Sequence, residues 1–429
     1  MAFFGKIAPV TLFLAGVIAL GYGPEQGDGW VIVGLYAFLF AVYGYVLRFG
    51  RDEDYPIYRW LGIMARFSLV FALPNLSDDV YRFVWDGRLI LQGINPFDHT
   101  PRQLLDAGNE SLFLQLNSPD YYTVYPPLAQ LSFALSAWLS PGSVLGSAIV
   151  LKLIHASLDT GAILVLERLV KRWQLPRRNV LIYALNPLII IELTGNLHFE
   201  CAMVFFLALA LWQMSGQRWY RSVWAWAGAI GAKLLPLMFL PFLLRRLGWP
   251  RMVYWSLLLG AGLFLLFMPL LNSLFVANMS SSLGLYFRTF EFNASIYYLA
   301  RWLGFQIKGY NLIHLIGPLF ALSTLFAISW LAWREKSLDV RRLPHMWLMA
   351  ITTYLLLSTT VHPWYLALPV FFSALTPFRF SIVWSALAPL SYLAYATPEV
   401  RELPWVAWVE YLPVVGVVVW EVIYRGLSR

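Results

Sequence analysis

Two adjacent carboxylates, Asp78 and Asp79, open a polar stretch that reads L-S-D-D-V-Y-R-F-V-W-D-G-R-L-I-L-Q-G-I-N-P-F-D-H-T-P from Leu76 and closes with Y-T-V-Y-P-P-L-A-Q at Gln130. An ordinary aspartate, with a pKa of ~3.9, is ionised but weakly basic at neutral pH. Partial burial beside a second acid raises the pKa of one member of such a pair. A carboxylate tuned in this way is a general base, a role that contributes about 10²–10⁴-fold when the group is well positioned. The competing reading is a helix N-terminus with two solvated acids, which suit its positive end. Asp79, Arg82 and Asp86 follow at i, i+3 and i+7, near one face of that helix. Arg82 and Arg88 can pair with these acids or bind an anion. Lys233 is placed inside an apolar stretch, where a lysine costs ~2.5–3.5 kcal/mol by insertion scales. It either serves a purpose there or snorkels to the interface.

Other polar residues interrupt apolar runs. Lys152, His155 and Asp159 share a helix face and read as an internal ion pair closing a bundle. Glu192, Asn196, His198 and Glu200 cluster around Gly195, as a ligand-binding group or a polar helix kink. His362 stands before Pro363 and Trp364 at a helix start. Tyr125, followed by Pro126 and Pro127, shapes the start of the next helix more readily than it touches a ligand. Tyr81 and Trp85 read as headgroup anchors rather than stacking platforms.

These residues must be held by a membrane scaffold. Hydrophobic residues make up 59% of the 429-residue chain and charged ones 13%, far from a soluble composition. Apolar stretches recur at 7–23, 30–48, 58–74, 125–140, 143–168, 179–195, 199–216, 219–245, 252–276, 311–333, 345–361, 364–376, 380–396 and 404–424. Many approach the ~20 residues that cross a bilayer, and in lipid they must be helical. The expectation is one all-α polytopic domain over 1–429, with about 12–14 spans and a partly helical outer loop over 75–124. The first run, Ile7 to Tyr22, has no small-x-small cleavage site and reads as a retained helix.

The net charge of +8 does not indicate nucleic acid, because the basic residues sit at span ends: Arg48, Arg51, Arg59, Lys171, Arg172, Arg177, Arg178, Arg245, Arg246, Arg251, Arg334, Arg341 and Arg342. That pattern orients helices in a membrane. It places 48–59 and 334–342 on the cytoplasmic side, and the Asp78–Asp79 pair and His362 outside. Two full crossings between Tyr125 and Arg168 would put the basic 168–178 loop outside, so either that loop breaks the rule or one stretch does not cross. In the loop, Ser77 is an N-cap candidate. Phe83, Trp85, Leu89, Ile90 and Leu91 offer apolar area to the headgroup layer, Gly93 and Pro96 stop the helix, and Pro101 to Leu116 forms a second short piece.

The motifs S-D-D-V-Y-R-F-V-W-D-G-R, G-I-N-P-F and Y-P-P-L resemble the polytopic GT-C glycosyltransferases. The likeness is above all to a bacterial mannosyltransferase-like group and, more distantly, to the mannosyltransferase of GPI-anchor synthesis. L-N-P-L-I-I-I-E-L-T-G-N-L-H-F-E at 185–200, G-A-K-L-L-P-L-M-F-L-P-F at 231–242 and H-P-W-Y at 362–365 extend the resemblance in order. It implies a GT-C-type bundle that moves a sugar, by analogy mannose, from a polyprenyl-phosphate carrier to a hydroxyl of a glycan, glycolipid or protein. The reaction is on the extracytoplasmic face and usually proceeds with inversion. It also implies an acid of the first outer loop as base. Asp78 and Asp86 keep an eight-residue spacing of the GPI-type pattern. Val80 stands where that pattern has a further Asp, so Asp78 and Asp79 both remain candidates. Glu200 matches a family Asp by charge alone.

Such chemistry needs cations for the leaving phosphate, for which Lys233, Arg88, Arg82 and Arg288 are available. It also needs polar groups for sugar or acceptor, for which Asp86, Glu192, Asn196, His198, Glu200, Tyr125 and His362 are available. No cofactor is required. No metal-ligand spacing is present, and a divalent ion on Asp78 and Asp79 is not needed where Lys and Arg balance the phosphate. No Gly-rich nucleotide loop is present, which argues against a nucleotide sugar. Two other classes fit less well. A secondary transporter would show repeated halves with matched broken helices, and none is visible. The fifty-residue loop with its acidic pair has no natural place in such a transporter either; a non-catalytic lipid-handling or envelope-assembly factor on the same scaffold is the remaining alternative.

Overall fold

The computed structural model describes residues 4–107, 110–397 and 399–426. Among these the chain is helical, with extended pairing confined to an isolated parallel bridge between Phe292 and Thr360. Five helices are each long and apolar enough to cross a membrane: Gly29–Phe49, Val144–Arg172, Trp249–Leu270, Ile313–Arg334 and Pro404–Ile423. Pro187–Gly195 and Glu200–Ser215 form a sixth candidate, bent by 114°. The protein is thus an integral membrane protein of all-α architecture.

Length and composition alone single out five or six of the expected twelve to fourteen spans. The other apolar stretches are short helices or are broken by proline. The run 219–245 is a helix to Ala232, then a 3-10 segment over Leu235–Leu243 that contains Pro236 and Pro241. The run 380–396 changes to 3-10 geometry at Ala388, with Pro389 at its start. Proline lacks the amide that an α-helix needs and clashes with the preceding turn, so an apolar stretch need not be one straight rod.

The ambiguity over the 168–178 loop is resolved by side-chain pairing. Helix Tyr55–Phe67 lies antiparallel to Val144–Arg172. Arg66 Nε donates to Asp159 at 2.5 Å, and Arg59 Nη1 to Glu167 at 2.9 Å. Arg178 reaches the carbonyls of Val46 and Leu47 at 3.0 and 2.9 Å. The basic 168–178 loop therefore shares an end of the bundle with 48–59, as the charge rule requires. The stretch that does not cross is 125–140. Its helix, Pro127–Leu139, has 13 residues and packs on the loop helix Asp79–Leu91.

The expected ion pair within Lys152, His155 and Asp159 is corrected. Asp159 pairs with Arg66 and accepts from Tyr183 Oη at 2.5 Å. Lys152 Nζ donates to Leu69 O at 3.2 Å, and His155 Nδ1 lies 2.9 Å from Leu193 O. A buried carboxylate needs a full set of donors, and here they come from helices distant in sequence.

The loop helix also differs from expectation. It starts at Asp79 with Asp78 at the N-cap position, and Ser77 Oγ is 3.4 Å from the Asp79 amide. Its end is as expected: Gly93 adopts φ 75°, and the Ile94 amide closes on Leu89 O at 2.9 Å. Much of the apolar face packs on protein, although Leu91 stays exposed. Phe83, Trp85 and Leu89 are buried, and Trp85 sits in a small core with Val84, Leu89 and Leu112, so it is neither an interfacial anchor nor a stacking platform. Close packing on Pro127–Leu139 is allowed by Gly87, where a Cβ would sit 2.3 Å from Phe133 O. The second piece of the loop is a 3-10 segment, Pro101–Ala107, and a single turn, Glu110–Phe113.

Candidate functional site

A cavity of about 980 Å³ opens where the loop helix meets the broken segments. Asp78, Asp79, Arg82, Tyr125, His198, Glu200, Lys233 and His362 all line it, so eight of the singled-out residues converge from five parts of the chain. Its other side is apolar. Leu234, Leu235, Leu283, Leu325 and Ile328 come from the 3-10 segment and from helices Phe275–Arg288 and Ile313–Arg334. Asp86, Arg88, Glu192, Asn196 and Arg288 are not among the lining residues.

The two adjacent acids are held differently. Asp79 accepts from Asn117 Nδ2 at 3.0 Å and from Tyr125 Oη at 3.3 Å, one bond on each oxygen. Asp78 has no side-chain hydrogen bond or ion pair among the described residues and is exposed to the cavity. Its pKa is raised, first by partial desolvation and then by the Asp79 charge. Asp78 is thus an unengaged carboxylate with enhanced basicity, beside one fixed in place.

Arg82 and Asp86 brace the loop. Arg82 Nε donates to Asp86 at 2.8 Å, and its Nη1 reaches the carbonyls of Ser118 and Tyr121 at 3.1 and 2.9 Å. Gln130 Nε2 completes the Asp86 carboxylate at 3.1 Å. The turn at 118–121 is thereby tied to the helix that begins at the acids. Tyr125 packs edge-on against Phe83 and Phe133, with ring centroids 5.0 and 5.5 Å apart, which aims its hydroxyl at Asp79.

The kink around Gly195 builds the opposite wall. A π-helical segment, Ile190–Gly195, is followed by Leu197 at φ 65°. Buried Glu192 accepts from Tyr36 and Tyr392 hydroxyls at 2.7 and 2.8 Å and from Asn196 Nδ2 at 3.2 Å. Asn196 Oδ1 takes the Leu76 amide at 3.4 Å, linking this knot to the residues just before Asp78. His198 lies 3.6 Å from Glu192 and stacks on Trp364, centroids 3.6 Å apart. Trp364 also stacks on His362 at 4.3 Å, and His362 on Phe292 at 4.9 Å. Lys233, in extended conformation just past helix Trp219–Ala232, pairs with Glu200 and lies 5.0 Å from the Tyr365 ring centre. Glu200 is buried, and its Oε2 has no hydrogen-bond partner among the described residues.

Arg288 is exposed at the end of its helix, and Arg88 is half-buried in the loop helix; the structure brings neither to the cavity. Several contributors carried no sequence signal. Asn117 is one of many polar loop residues, yet it fixes Asp79. Glu291 lines the cavity and is held by Tyr297 Oη at 2.8 Å together with Arg301 and Asn311. The strap that carries it, Phe290–Asn293, is pinned to 359–361 by Phe292 N to Thr359 O at 3.1 Å and Val361 N to Phe292 O at 2.8 Å. Among the described residues no three His, Cys, Asp or Glu side chains converge as a metal-ligand set.

This arrangement places an unengaged carboxylate, a lysine and an apolar groove around one space. Residues 15–247, over half of the chain, match a protein family described as alpha-(1->6)-mannopyranosyltransferase, N-terminal domain. No curated protein matches the chain.

Proposed function

The chain belongs to the alpha-(1->6)-mannopyranosyltransferase family, and from that premise we propose a GT-C-type enzyme that moves mannose from a polyprenyl-phosphate carrier to an acceptor hydroxyl on the extracytoplasmic face. The observation that carries the reading is the contrast between Asp78, unengaged and facing the cavity, and Asp79, held by Asn117 and Tyr125. Asp78 is the general base and Asp79 the fixed charge that raises its pKa.

The acceptor hydroxyl approaches Asp78, which takes its proton as the oxygen bonds to the mannose anomeric carbon. The bond from that carbon to the carrier phosphate breaks, and the phosphate leaves with the electron pair. A single displacement inverts the anomeric centre, so an alpha-linked product requires a beta-linked donor. Lys233 meets the growing phosphate charge, a charge-assisted contact worth about 1.5–3 kcal/mol. Glu200 orients Lys233. His198 and His362, steadied by Trp364, line the sugar side. The isoprenoid follows the groove of Leu234, Leu283, Leu325 and Ile328. Arg82 keeps to its Asp86 brace and acts on the loop. The acceptor is a glycan, glycolipid or protein presented from water. No metal step enters this scheme.

Membranes containing the protein are incubated with radiolabelled polyprenyl-phosphate mannose or with nucleotide-linked mannose. Transfer is expected from the lipid donor alone, and Asp78→Asn is expected to lower it by about 10²–10⁴-fold. Undiminished transfer by Asp78→Asn, Asp79→Asn and the double variant overturns the base. Transfer from the nucleotide donor in lipid-carrier-free membranes overturns the donor class.

A further inference from the structure

The end of the bundle opposite the cavity carries a second feature that mannosyl transfer does not use. Helix Glu200–Ser215 starts at the cavity and reaches Trp212 about 18 Å further on, at 1.5 Å per residue. Three guanidinium groups gather around that one indole. Arg168, Arg172 and Arg218 have their Cζ atoms 5.7, 5.1 and 5.9 Å from the Trp212 ring centre.

The backbone holds the group in place. The helix closes with Gln217 at φ 60°, the Gln217 amide on Met214 O at 3.0 Å and the Arg218 amide on Gln213 O at 2.9 Å. This closure folds the residue after the turn back over the last helical turn, which brings Arg218 onto Trp212. Arg172 Nη1 donates to Trp212 O and Ser215 Oγ, both at 2.8 Å. Gly216 leaves the space for it, since a Cβ there would lie 3.1 Å from Arg172 Nη1.

The charge is uncompensated. Among the described residues, none of the three arginines has an ion-pair partner. The neighbouring Glu167 is committed to Arg59 and Arg177 at 2.9 and 3.4 Å. Two guanidinium carbons that share a ring at these distances are at most about 12 Å apart, so three like charges are concentrated on one ring, although physiological salt, with its ~8 Å screening length, weakens their repulsion at the wider end of that range. An anion relieves it, and planar guanidinium groups suit phosphate oxygens in particular. Tyr220 and Trp224, 50% and 64% exposed on the next helix, give the adjacent surface an interfacial aromatic character. A phosphate at this boundary, beside apolar helix flanks, belongs to a lipid.

We propose that Arg168, Arg172, Arg218 and Trp212 form a headgroup site for an anionic phospholipid of the surrounding bilayer, at the end of the bundle away from the mannosyl-transfer cavity.

The test is native mass spectrometry of the full-length protein in detergent, titrated with phosphatidylglycerol and with phosphatidylcholine of the same acyl chains. The wild type is expected to prefer phosphatidylglycerol by about tenfold or more, as one or two charge-assisted contacts provide. Arg168→Gln with Arg218→Gln should abolish that preference, Arg168→Lys with Arg218→Lys should keep part of it, and Arg245→Gln with Arg251→Gln should leave it intact. No preference in the wild type overturns the site without any variant. Equal loss in the Arg245/Arg251 pair overturns its location. Displacement of the lipid by excess inorganic phosphate overturns the lipid as the source of the anion. Melting of each variant in lipid-free detergent identifies misfolding; Arg218→Gln alone then replaces the double variant, and a preference it retains in full counts against the site.

Discussion

Asp159, midway along helix Val144–Arg172, and Asp78, at the N-cap of the loop helix, are both aspartates, and their surroundings are opposite. Asp159 is fully buried and its oxygens are taken by Arg66 and Tyr183 at 2.5 Å each. Asp78 faces open space with its acid neighbour tied down and itself untied. A charge within a membrane protein is therefore not evidence of a site until its partners are counted. A complete set of donors makes it scaffold, and an incomplete set facing a cavity makes it available for chemistry. Glu192, with three hydrogen-bond donors, belongs to the first kind. Glu200, with one oxygen on Lys233 and one without a partner among the described residues, stands between them.

The comparison predicts opposite responses to the same substitution. Asp159→Ala leaves Arg66 buried without its counter-charge and should destabilise the fold by about 3–5 kcal/mol. Asp78→Ala should change stability by less than about 0.5 kcal/mol while abolishing transfer. Denaturation in detergent beside the transfer assay reads both, and similar stability losses would erase the distinction. Next in size is Gly87→Ala, which forces a Cβ against Phe133 O. It should cost about 1–3 kcal/mol and lower transfer by shifting the helix that starts at the acids. Smaller still is Tyr125→Phe. It removes one bond to Asp79, worth about 0.5–1.5 kcal/mol, and should reduce the rate about three- to tenfold with little change in donor KM.

The smallest effect is on pH dependence. The Asp78 pKa is raised, so transfer should fall as pH drops through a value above the ordinary carboxylate range. Asp79→Asn removes the charge that contributes to this shift, so the acidic limb should move to lower pH. A limb that stays in place or moves upward would separate Asp79 from the basicity of Asp78.

Much of the cavity was legible in the chain. The acid pair, Lys233, the Gly195 kink and His362 were conspicuous because ionisable groups and chain breakers are rare in apolar runs, and they do meet. What was not legible lies in pairing across the bundle. Arg66 finds Asp159 across 93 residues, and Tyr392 finds Glu192 across 200; helical periodicity reaches only neighbouring turns. Which apolar stretches are single straight helices was not legible for a related reason. Hydropathy measures how apolar a stretch is, and prolines such as Pro236 and Pro241 decide whether it is one helix. Trp85 misled because an amphipathic face looks the same whether it meets lipid or a neighbouring helix.

The cavity has one wet wall and one greasy wall, and that asymmetry sets how its visitors are counted. A molecule sliding in past Leu283 and Leu325 travels in two dimensions, so its supply is a mole fraction among lipids. A molecule arriving beside Asp78 comes from bulk solution and is supplied per litre. Diluting the membrane with inert lipid would starve one without touching the other.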